Sequence, residues 1–371
     1  MPEAEQTVGP LSLLVVQPTP FCNIDCDYCY LPDRQIRGVV KPETLDALFA
    51  SVFASSILRD GFSLIWHAGE PLVLPVAFYE RALAMLARHN ARGLKVKVCF
   101  QTNGLLIDDR WCRFFLESGA KVGVSLDGPR DLHDRHRRTR GGRGTFDRAM
   151  VGLRRLQDAG IEFSVICVLT REALLEPRRI FAFFEEAGIR DIGFNIEELE
   201  GDHASTSIGF EESRGLYYRF MEEILALSEE SGIRVRELDD FGGFLKHGMP
   251  LEIGQQCTPL RILSMDYRGN LSTFSPELLG VDTKQYGKLV FGNVHDGPIE
   301  NILSDPRFQA VHKDILAGVE ACRSACGYFT VCGGGAPGNK LFERGSFTAT
   351  ETIYCRCQVK ALTDVLLDHL G

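Results

Sequence analysis

Short apolar runs alternate with amphipathic segments along the first two thirds of the chain. The runs have the length and β-branched content of strands, and they cover residues 11–16, 64–67, 96–101, 121–125, 163–169 and 191–196. Between them, apolar residues recur at helical spacing, as at Leu45, Leu48, Phe49 and Val52. Gly119, Gly160 and Gly188 each follow such a segment, at the position where helices commonly end.

Repeated strand–helix units predict a parallel sheet with right-handed crossovers. About six units over residues 1–236 indicate an α/β fold, a partial (β/α)6 barrel of the TIM type rather than the closed eightfold barrel. Chemistry in such folds belongs at the carboxyl ends of the strands. Four polar turns follow successive predicted strands there: a three-cysteine loop, AGEP (68–71), QTNG (101–104) and SLDGP (125–129).

The pattern changes after residue 236, where the alternation stops and cysteines return. We predict that residues 237–371 form a bridging region and a small, cysteine-rich, metal-dependent domain that ends in a helix. The cysteines of this region are Cys257, Cys322, Cys326, Cys332, Cys355 and Cys357.

Composition narrows the class of protein. The formal net charge of −9 over 371 residues argues against a nucleic-acid partner. No apolar run is long enough to span a bilayer, so we expect a cytoplasmic protein with no membrane partner. Disulfides are rare in that compartment, and the 12 cysteines therefore indicate metal binding. A basic segment at 134–143 is either a solvated loop or a site for an anionic group.

Cys22, Cys26 and Cys29 have the spacing C-x3-C-x2-C, with no fourth cysteine nearby. Thiolates select zinc or iron–sulfur centres, and a structural zinc site requires four ligands. A four-iron cluster held by three thiolates leaves one iron open to another ligand. The loop therefore favours such a cluster, and a structural zinc loop is the alternative.

The cysteine loop together with AGEP, QTNG and SLDG resembles the radical S-adenosylmethionine (SAM) enzymes. The resemblance implies SAM and a [4Fe-4S] cluster as cofactors, with Cys22, Cys26 and Cys29 as cluster ligands. It also implies that Arg137, in the basic segment, pairs with the cofactor carboxylate, and that Ala68 replaces the usual glycine of the AGEP motif. The implied cofactor-binding residues are Tyr28, Ala68, Gly69, Glu70, Gln101, Asn103, Ser125, Asp127 and Arg137.

The later cysteines resemble the SPASM extension of peptide-modifying radical SAM enzymes. The resemblance implies one auxiliary [4Fe-4S] cluster held by Cys322, Cys326, Cys332 and Cys355, with Cys357 as the reserve ligand and zinc as the alternative metal. Two further cysteines of that extension fall near Phe274 and Ala336 here, which leaves Cys257 without close partners. We expect the remaining cysteines, Cys99, Cys112 and Cys167, to be core residues.

The segments CGGGAPGNKLFERGSF and NLSTFSPELLG resemble GrrM-type and cyclophane-forming peptide maturases. The resemblance implies an oxidoreductase whose 5′-deoxyadenosyl radical abstracts hydrogen from a ribosomally made precursor peptide and leads to a carbon–carbon crosslink. A flavodoxin or ferredoxin would supply electrons. Glu277 is a candidate base, with a surface glutamate as the alternative, and the acidic run 196–202 either faces a basic peptide or is solvated. The competing functions are a sulfatase-type maturase that forms formylglycine and a zinc-stapled binding module.

Overall fold

The computed structural model describes residues 8–247 and 253–370. Its centre is a run of parallel strands that neighbour one another in chain order, and each strand predicted from the sequence is confirmed to within two residues at either end. These strands are β1 (Leu13–Val16), β2 (Phe62–Trp66), β3 (Val96–Thr102), β4 (Lys121–Ser125), β5 (Phe163–Leu169) and β6 (Asp191–Ile196).

Helices follow the strands and cover the sheet. They are α1 (Pro42–Ala54), α2 (Val76–His89), α3 (Asp109–Ser118), α4 (Arg130–His136), α5 (Phe146–Asp158), α6 (Pro177–Glu186), α7 (Phe210–Ser231), α8 (Arg236–His247), α9 (Pro306–Ala325), α10 (Phe329–Cys332), α11 (Pro337–Arg344) and α12 (Leu362–Leu370). A π-helical segment, Cys355–Ala361, leads directly into α12.

Local sequence explains where these helices begin and end. The Asp108 carboxylate accepts hydrogen bonds from the amides of Arg110 and Trp111 at 3.0 Å each, which caps the start of α3. Gly119 ends the same helix in the left-handed conformation, at φ 67°. The predicted inner face of α1 is buried, with Leu48, Phe49 and Val52 fully covered. Helix packing therefore follows the periodicity of the sequence.

Residues beyond 236 extend the same sheet. After β7 (Arg234–Val235), which pairs with β6, the strands that join the sheet are β8 (Ile262–Met265), β9 (Asn270–Thr273) and β12 (Gly292–Asn293). Strands β10 (Asp282–Thr283) and β11 (Gly287–Lys288) form a separate two-stranded antiparallel sheet. Strand β8 lies parallel to β1, β9 lies antiparallel to β8, and the sheet order is β12-β9-β8-β1-β2-β3-β4-β5-β6-β7. The division of the chain at residue 236 stays a prediction, but the sheet continues across it.

The sheet is open in the described residues, because β1 lies between β2 and β8 and does not pair with β6. The carboxyl ends of β1 to β6 therefore form one edge, to which the cysteine loop, AGEP, QTNG and SLDGP are all attached. Within the same described ranges, we find no helix with the length and apolar character that crossing a membrane requires.

Candidate active site

The three-cysteine loop is held by the basic segment that follows α4. The amide of Asp25 donates to the carbonyl of Arg138 at 2.7 Å. The guanidinium of Arg140 donates through Nε and Nη2 to the carbonyl of Cys22, at 3.1 and 2.9 Å. Arg34 donates to the carbonyls of Cys26 and Cys29. The basic segment is therefore neither a free loop nor an open anion site, since its side chains and backbone fix the loop.

Cys22, Cys26 and Cys29 lie close enough together for their charges to influence one another. Arg137 Nη1 lies 3.9 Å from Cys26 Sγ, and Asn103 Nδ2 lies 3.8 Å from Cys22 Sγ. Burial raises the pKa of Cys22 and of Cys26 to about 12, so these thiols need a positive partner to become thiolates. Three converging sulfurs with nitrogen donors beside them fit an iron–sulfur cluster.

The AGEP turn follows β2 and approaches the cysteine loop closely. Ala68 takes the left-handed backbone conformation at φ 64°, which residues other than glycine rarely adopt. At Gly69, φ is 99° and an added Cβ would lie 2.2 Å from the carbonyl oxygen of Thr19. Only glycine therefore fits at position 69. Ala68 has a strained backbone conformation, which was not predicted from the sequence.

Glu70 connects the loops that follow β1, β2 and β3. Its carboxylate accepts from the amide of Leu72 at 2.9 Å, the hydroxyl of Thr102 at 2.7 Å and the amide of Asn103 at 2.9 Å. The amide of Glu70 donates to the carbonyl of Phe21 at 2.9 Å. Burial raises the pKa of Glu70 to about 7. Because three protein donors engage its oxygens, Glu70 fixes the turn, and its contact with the cofactor stays a prediction.

Asp127 and Arg137 form a buried pair beneath the cysteine loop. Arg137 Nε and Nη2 donate to the two Asp127 oxygens at 2.9 and 3.0 Å. The Tyr28 hydroxyl and the amide of Val168 also donate to Asp127. The guanidinium fork is thus paired with an internal carboxylate, and its expected pairing with the cofactor carboxylate stays a prediction. Nη1 alone points toward Cys26.

The two remaining predicted cofactor contacts lie side by side on neighbouring strands. Gln101 Nε2 donates to Ser125 Oγ at 2.9 Å. Asn103 Nδ2 donates to Asn23 Oδ1 at 2.7 Å, which connects QTNG directly to the cysteine loop. The structure thus brings all the predicted cofactor-binding residues to one edge of the sheet, while their individual roles stay predictions.

A cavity of about 360 Å³ opens beside this edge. Its walls include Tyr30 from the cysteine loop, Ala68 from AGEP, Asp202 from the acidic run, and Ser264 and Glu277 from the C-terminal region. Ser264 Oγ is buried and has no hydrogen-bond partner among the described residues. The cavity is therefore shared by both halves of the chain and has polar groups available to a ligand.

Glu277 lines the cavity and belongs to a group of neighbouring carboxylates. Glu277 accepts a hydrogen bond from Ser275 Oγ at 2.5 Å and interacts electrostatically with Glu198, Glu200 and Tyr30. Burial raises the pKa of Glu277, of Glu200 and of Glu198, the last to about 7. Residues 196–200 of the acidic run are therefore at least partly buried, Asp202 is exposed, and Glu277 is not a fully exposed surface glutamate. Mutual proximity favours protonation of part of this group near neutral pH.

The later cysteines meet at the end of α9 and in the loops around α10. Cys332 interacts electrostatically with Cys322 and Cys326, and Cys355 interacts with Cys332 and Cys326. Burial raises the pKa of Cys355 to about 12. The four predicted auxiliary ligands are thus neighbours, which fits a second iron–sulfur centre. Cys355 lies in the π-helical segment, a geometry that often marks functional sites.

The expectation that Cys257 has no close partners is wrong. Its Sγ lies 3.3 Å from the carbonyl of Gly335, and it interacts electrostatically with Cys322 and Cys332. The reason is a hydrogen bond from the amide of Gly254 to the carbonyl of Gly333, at 2.8 Å, which joins two distant loops. By contrast, Cys357 Sγ lies against the carbonyl of Ser213 in α7, away from the other cysteines.

Apolar side chains fill the two positions where a cysteine is absent. Phe274 is fully buried and stacks on Phe308 and His312, with ring centroids 5.8 and 5.9 Å apart. Ala336 is also buried. Cys112 and Cys167 lie in the core as expected, but Cys99 is only half-buried because it stands on an outward position of β3. Within residues 8–247 and 253–370, no three His, Cys, Asp or Glu side chains are grouped to hold a single metal ion.

The chain is similar to known proteins over part or most of its length. Residues 16–184 match the profile of the Radical SAM superfamily. The chain is 42% identical over 368 residues to an uncharacterised protein of Synechocystis, covering 98% of this chain and 92% of that protein. It is 32% identical over 191 residues to a serine-type anaerobic sulfatase-maturating enzyme of Bacteroides thetaiotaomicron, covering 50% of this chain and 46% of the enzyme. The chain thus matches about half the length of this maturase.

Solved structures share the fold over most of the chain. Native anSMEcpe with bound AdoMet and Kp18Cys peptide matches with a TM-score of 0.79 and 21% identity, covering 97% of this chain and 98% of that one. Streptococcus suis SuiB bound to precursor peptide SuiA matches with a TM-score of 0.62 and 15% identity, covering 92% of this chain and 75% of SuiB. At these identities the likeness concerns the fold.

Proposed function

We propose that the chain, whose residues 16–184 match the profile of the Radical SAM superfamily, abstracts hydrogen from a side chain of a ribosomally made precursor peptide and thereby forms a carbon–carbon crosslink of the cyclophane type. Its cofactors are SAM and a [4Fe-4S] cluster, as in the superfamily. The observation that carries the proposal is the cavity between the cysteine loop and the buried carboxylates. In both solved relatives above, a peptide is part of the structure.

We assign the cluster to Cys22, Cys26 and Cys29 and the methionyl end of SAM to the adjoining AGEP backbone. With both bound, reductive cleavage of SAM supplies a 5′-deoxyadenosyl radical. Glu70 holds the AGEP turn, and the Asp127–Arg137 pair supports the loop from below. These buried contacts position the cofactor site.

Crosslink formation removes two hydrogen atoms from the peptide. One leaves as the abstracted hydrogen, and the other leaves as a proton and an electron. Glu277 lines the cavity and belongs to a group of carboxylates whose pKa values are raised, so it is suited to accept the proton. The auxiliary cysteines Cys322, Cys326, Cys332 and Cys355 would hold the cluster that accepts the electron.

A sulfatase-type maturase is the second candidate. It is favoured by identities of 32% and 30% to the serine-type enzyme of B. thetaiotaomicron and to a cysteine-type enzyme of Clostridium perfringens. Such an enzyme also oxidises a peptide side chain, and the cavity accommodates either reaction. The two products differ chemically, since formylglycine carries an aldehyde and a cyclophane does not.

The test is co-expression with the peptide encoded by the neighbouring small reading frame, followed by tandem mass spectrometry and hydrazide labelling. We expect loss of two hydrogens without hydrazide reactivity. A labelled product would instead establish the maturase function. Cys26→Ala is expected to abolish 5′-deoxyadenosine release, whereas Glu277→Gln should keep that release and lose most of the modified peptide. Unchanged release in Cys26→Ala would contradict the cluster assignment.

A further inference from the structure

Lys340 is a buried cation beside the later cysteines. The residue lies in α11 and its side chain is 3% exposed. Its Nζ donates to the carbonyl of Gly318 at 3.2 Å and lies 3.5 Å from Cys322 Sγ. It also acts electrostatically on Cys257. No feature of the sequence pattern singled out this lysine, since it follows the CGGGAPGN segment like an ordinary helical residue.

Burial of an ammonium group requires a compensating negative charge. Within residues 8–247 and 253–370, no carboxylate forms an ion pair with Lys340, and its hydrogen-bond partners are a carbonyl and a thiol. Cys322 Sγ, 3.5 Å from Nζ, belongs to the predicted auxiliary ligands. A metal-bound thiolate at that position would supply the compensating negative charge.

The glycine run that precedes Lys340 also directs positively polarised N–H groups toward a cysteine sulfur. Gly333, Gly334 and Gly335 all have left-handed φ values, of 63°, 109° and 81°. This backbone turns the amides of Gly334 and Gly335 toward the sulfur of Cys332, to which both donate hydrogen bonds. An added Cβ at Gly334 would lie 2.7 Å from Val319, so no larger residue fits. Positive groups therefore surround these sulfurs from two directions.

We infer that Lys340 is the counter-charge of the auxiliary centre, whose ammonium donates an N–H···S hydrogen bond to Cys322 and raises the reduction potential of the bound cluster. This inference rests on the proposed function, because it requires the auxiliary cluster assigned there. Hydrogen bonds to sulfur and a nearby positive charge favour the reduced, more negative state of a cluster. Lys340 is accordingly a tuning residue, and it is not among the residues that line the cavity.

The experiment isolates the auxiliary centre in a Cys22→Ala, Cys26→Ala, Cys29→Ala background and titrates it anaerobically by electron paramagnetic resonance. Replacing Lys340 by Met is expected to make reduction about tenfold less favourable, a fall of about 59 mV for one electron. Lys340→Arg keeps the charge and should restore most of the potential. Lys313→Met removes an exposed lysine from α9 and serves as the control, with no expected change.

Each outcome decides one question. Absence of iron in the background variant with Lys340 intact would refute the auxiliary cluster and the inference with it. Iron at the parent level with an unchanged potential in Lys340→Met would refute the inference alone. Loss of iron in Lys340→Met but not in Lys340→Arg would support a charge role. Loss in both variants, with iron kept in Lys313→Met, would mean that Lys340 only fills space and would overturn the inference.

Discussion

Ala68 stands where the backbone conformation favours glycine. A side chain in the left-handed region costs about 1–2 kcal/mol, while glycine gives up about 0.4–1 kcal/mol through the entropy of the unfolded chain. At φ 64° the first effect is the larger. We therefore expect Ala68→Gly to raise the free energy of unfolding of the cluster-free protein by about 0.5 kcal/mol, measured by urea denaturation.

The neighbouring glycine provides the matched comparison. Gly69→Ala introduces a Cβ 2.2 Å from the carbonyl oxygen of Thr19, so the loop must move. We expect this variant to be destabilised by about 2 kcal/mol or more, as for other positions with incompatible geometry. Equal stabilities of the two variants would contradict the conformation assigned to this turn.

The group of carboxylates around Glu277 gives the protein a pH-dependent stability. Burial raises the pKa of Glu198 from the ordinary 4.5 to about 7, so the folded state keeps a proton that the unfolded state releases. The stability that this proton confers is full below about pH 4.5 and is lost as the pH rises through about 7. Glu198→Gln removes the titration, and its side-chain carbonyl can still accept the hydrogen bond from Asn339.

We therefore expect the free energy of unfolding to fall less steeply between these pH values in Glu198→Gln than in the parent. Denaturation at a series of pH values measures the two slopes. Glu230→Gln, which changes an exposed carboxylate in α7, should keep the parental slope. A parental slope in Glu198→Gln as well would show that Glu198 does not control the titration.

At the level of elements, the sequence was sufficient to predict the parallel strands β1 to β6 but not the strands that extend the sheet beyond β1. The strands β3 to β6 are apolar runs bounded by turns, and hydrophobic pattern alone locates them. The pairing of β8 with β1 joins residues about 250 positions apart, Leu13 to Ile262, and no local signal specifies it. The sequence also placed the four motif turns on one edge, because parallel strands have their carboxyl ends together.

Side-chain partners within the site were less predictable than the motifs. No sequence pattern indicated that Arg137 pairs with Asp127 or that three protein donors engage the oxygens of Glu70. Both outcomes depend on the depth at which the loops pack, since buried charged groups need partners. Motif recognition thus located the site, and packing determined which groups remain free to bind a ligand.

The basic segment after α4 is the element that holds the cysteine loop, which leads to a further prediction. Arg140→Ala removes the charged donors to the carbonyl of Cys22 and should let the loop move. We expect iron to be lost to a chelator about fivefold faster, as for about 1 kcal/mol of lost stabilisation. Arg143→Ala alters an exposed side chain of the same segment and should leave the rate unchanged. Equal rates of iron loss in both variants would contradict the role of Arg140 in holding the cysteine loop.

At the scale of the whole molecule, several of the later cysteines are far apart in the sequence but close together in the fold. Cys257 precedes β8, Cys322 lies near the end of α9, and Cys332 closes α10, yet their sulfurs share one neighbourhood. The hydrogen bond between Gly254 and Gly333 brings the first of them in. Cys357, which is closer in sequence to Cys355, is instead turned toward α7. Proximity in the fold therefore ranks Cys257 above Cys357 as an additional auxiliary ligand.

The pair Cys257→Ser and Cys357→Ser tests this ranking with the same chemical change at two buried thiols. We expect Cys257→Ser to lower the auxiliary iron content after anaerobic reconstitution or to shift the electron paramagnetic resonance signal of that centre, because an oxygen replaces a sulfur beside it. Cys357→Ser should leave both unchanged, since its neighbours are a carbonyl of α7 and the surrounding core. The opposite result, with iron lost only from Cys357→Ser, would mean that the metal-loaded protein gathers a different set of sulfurs.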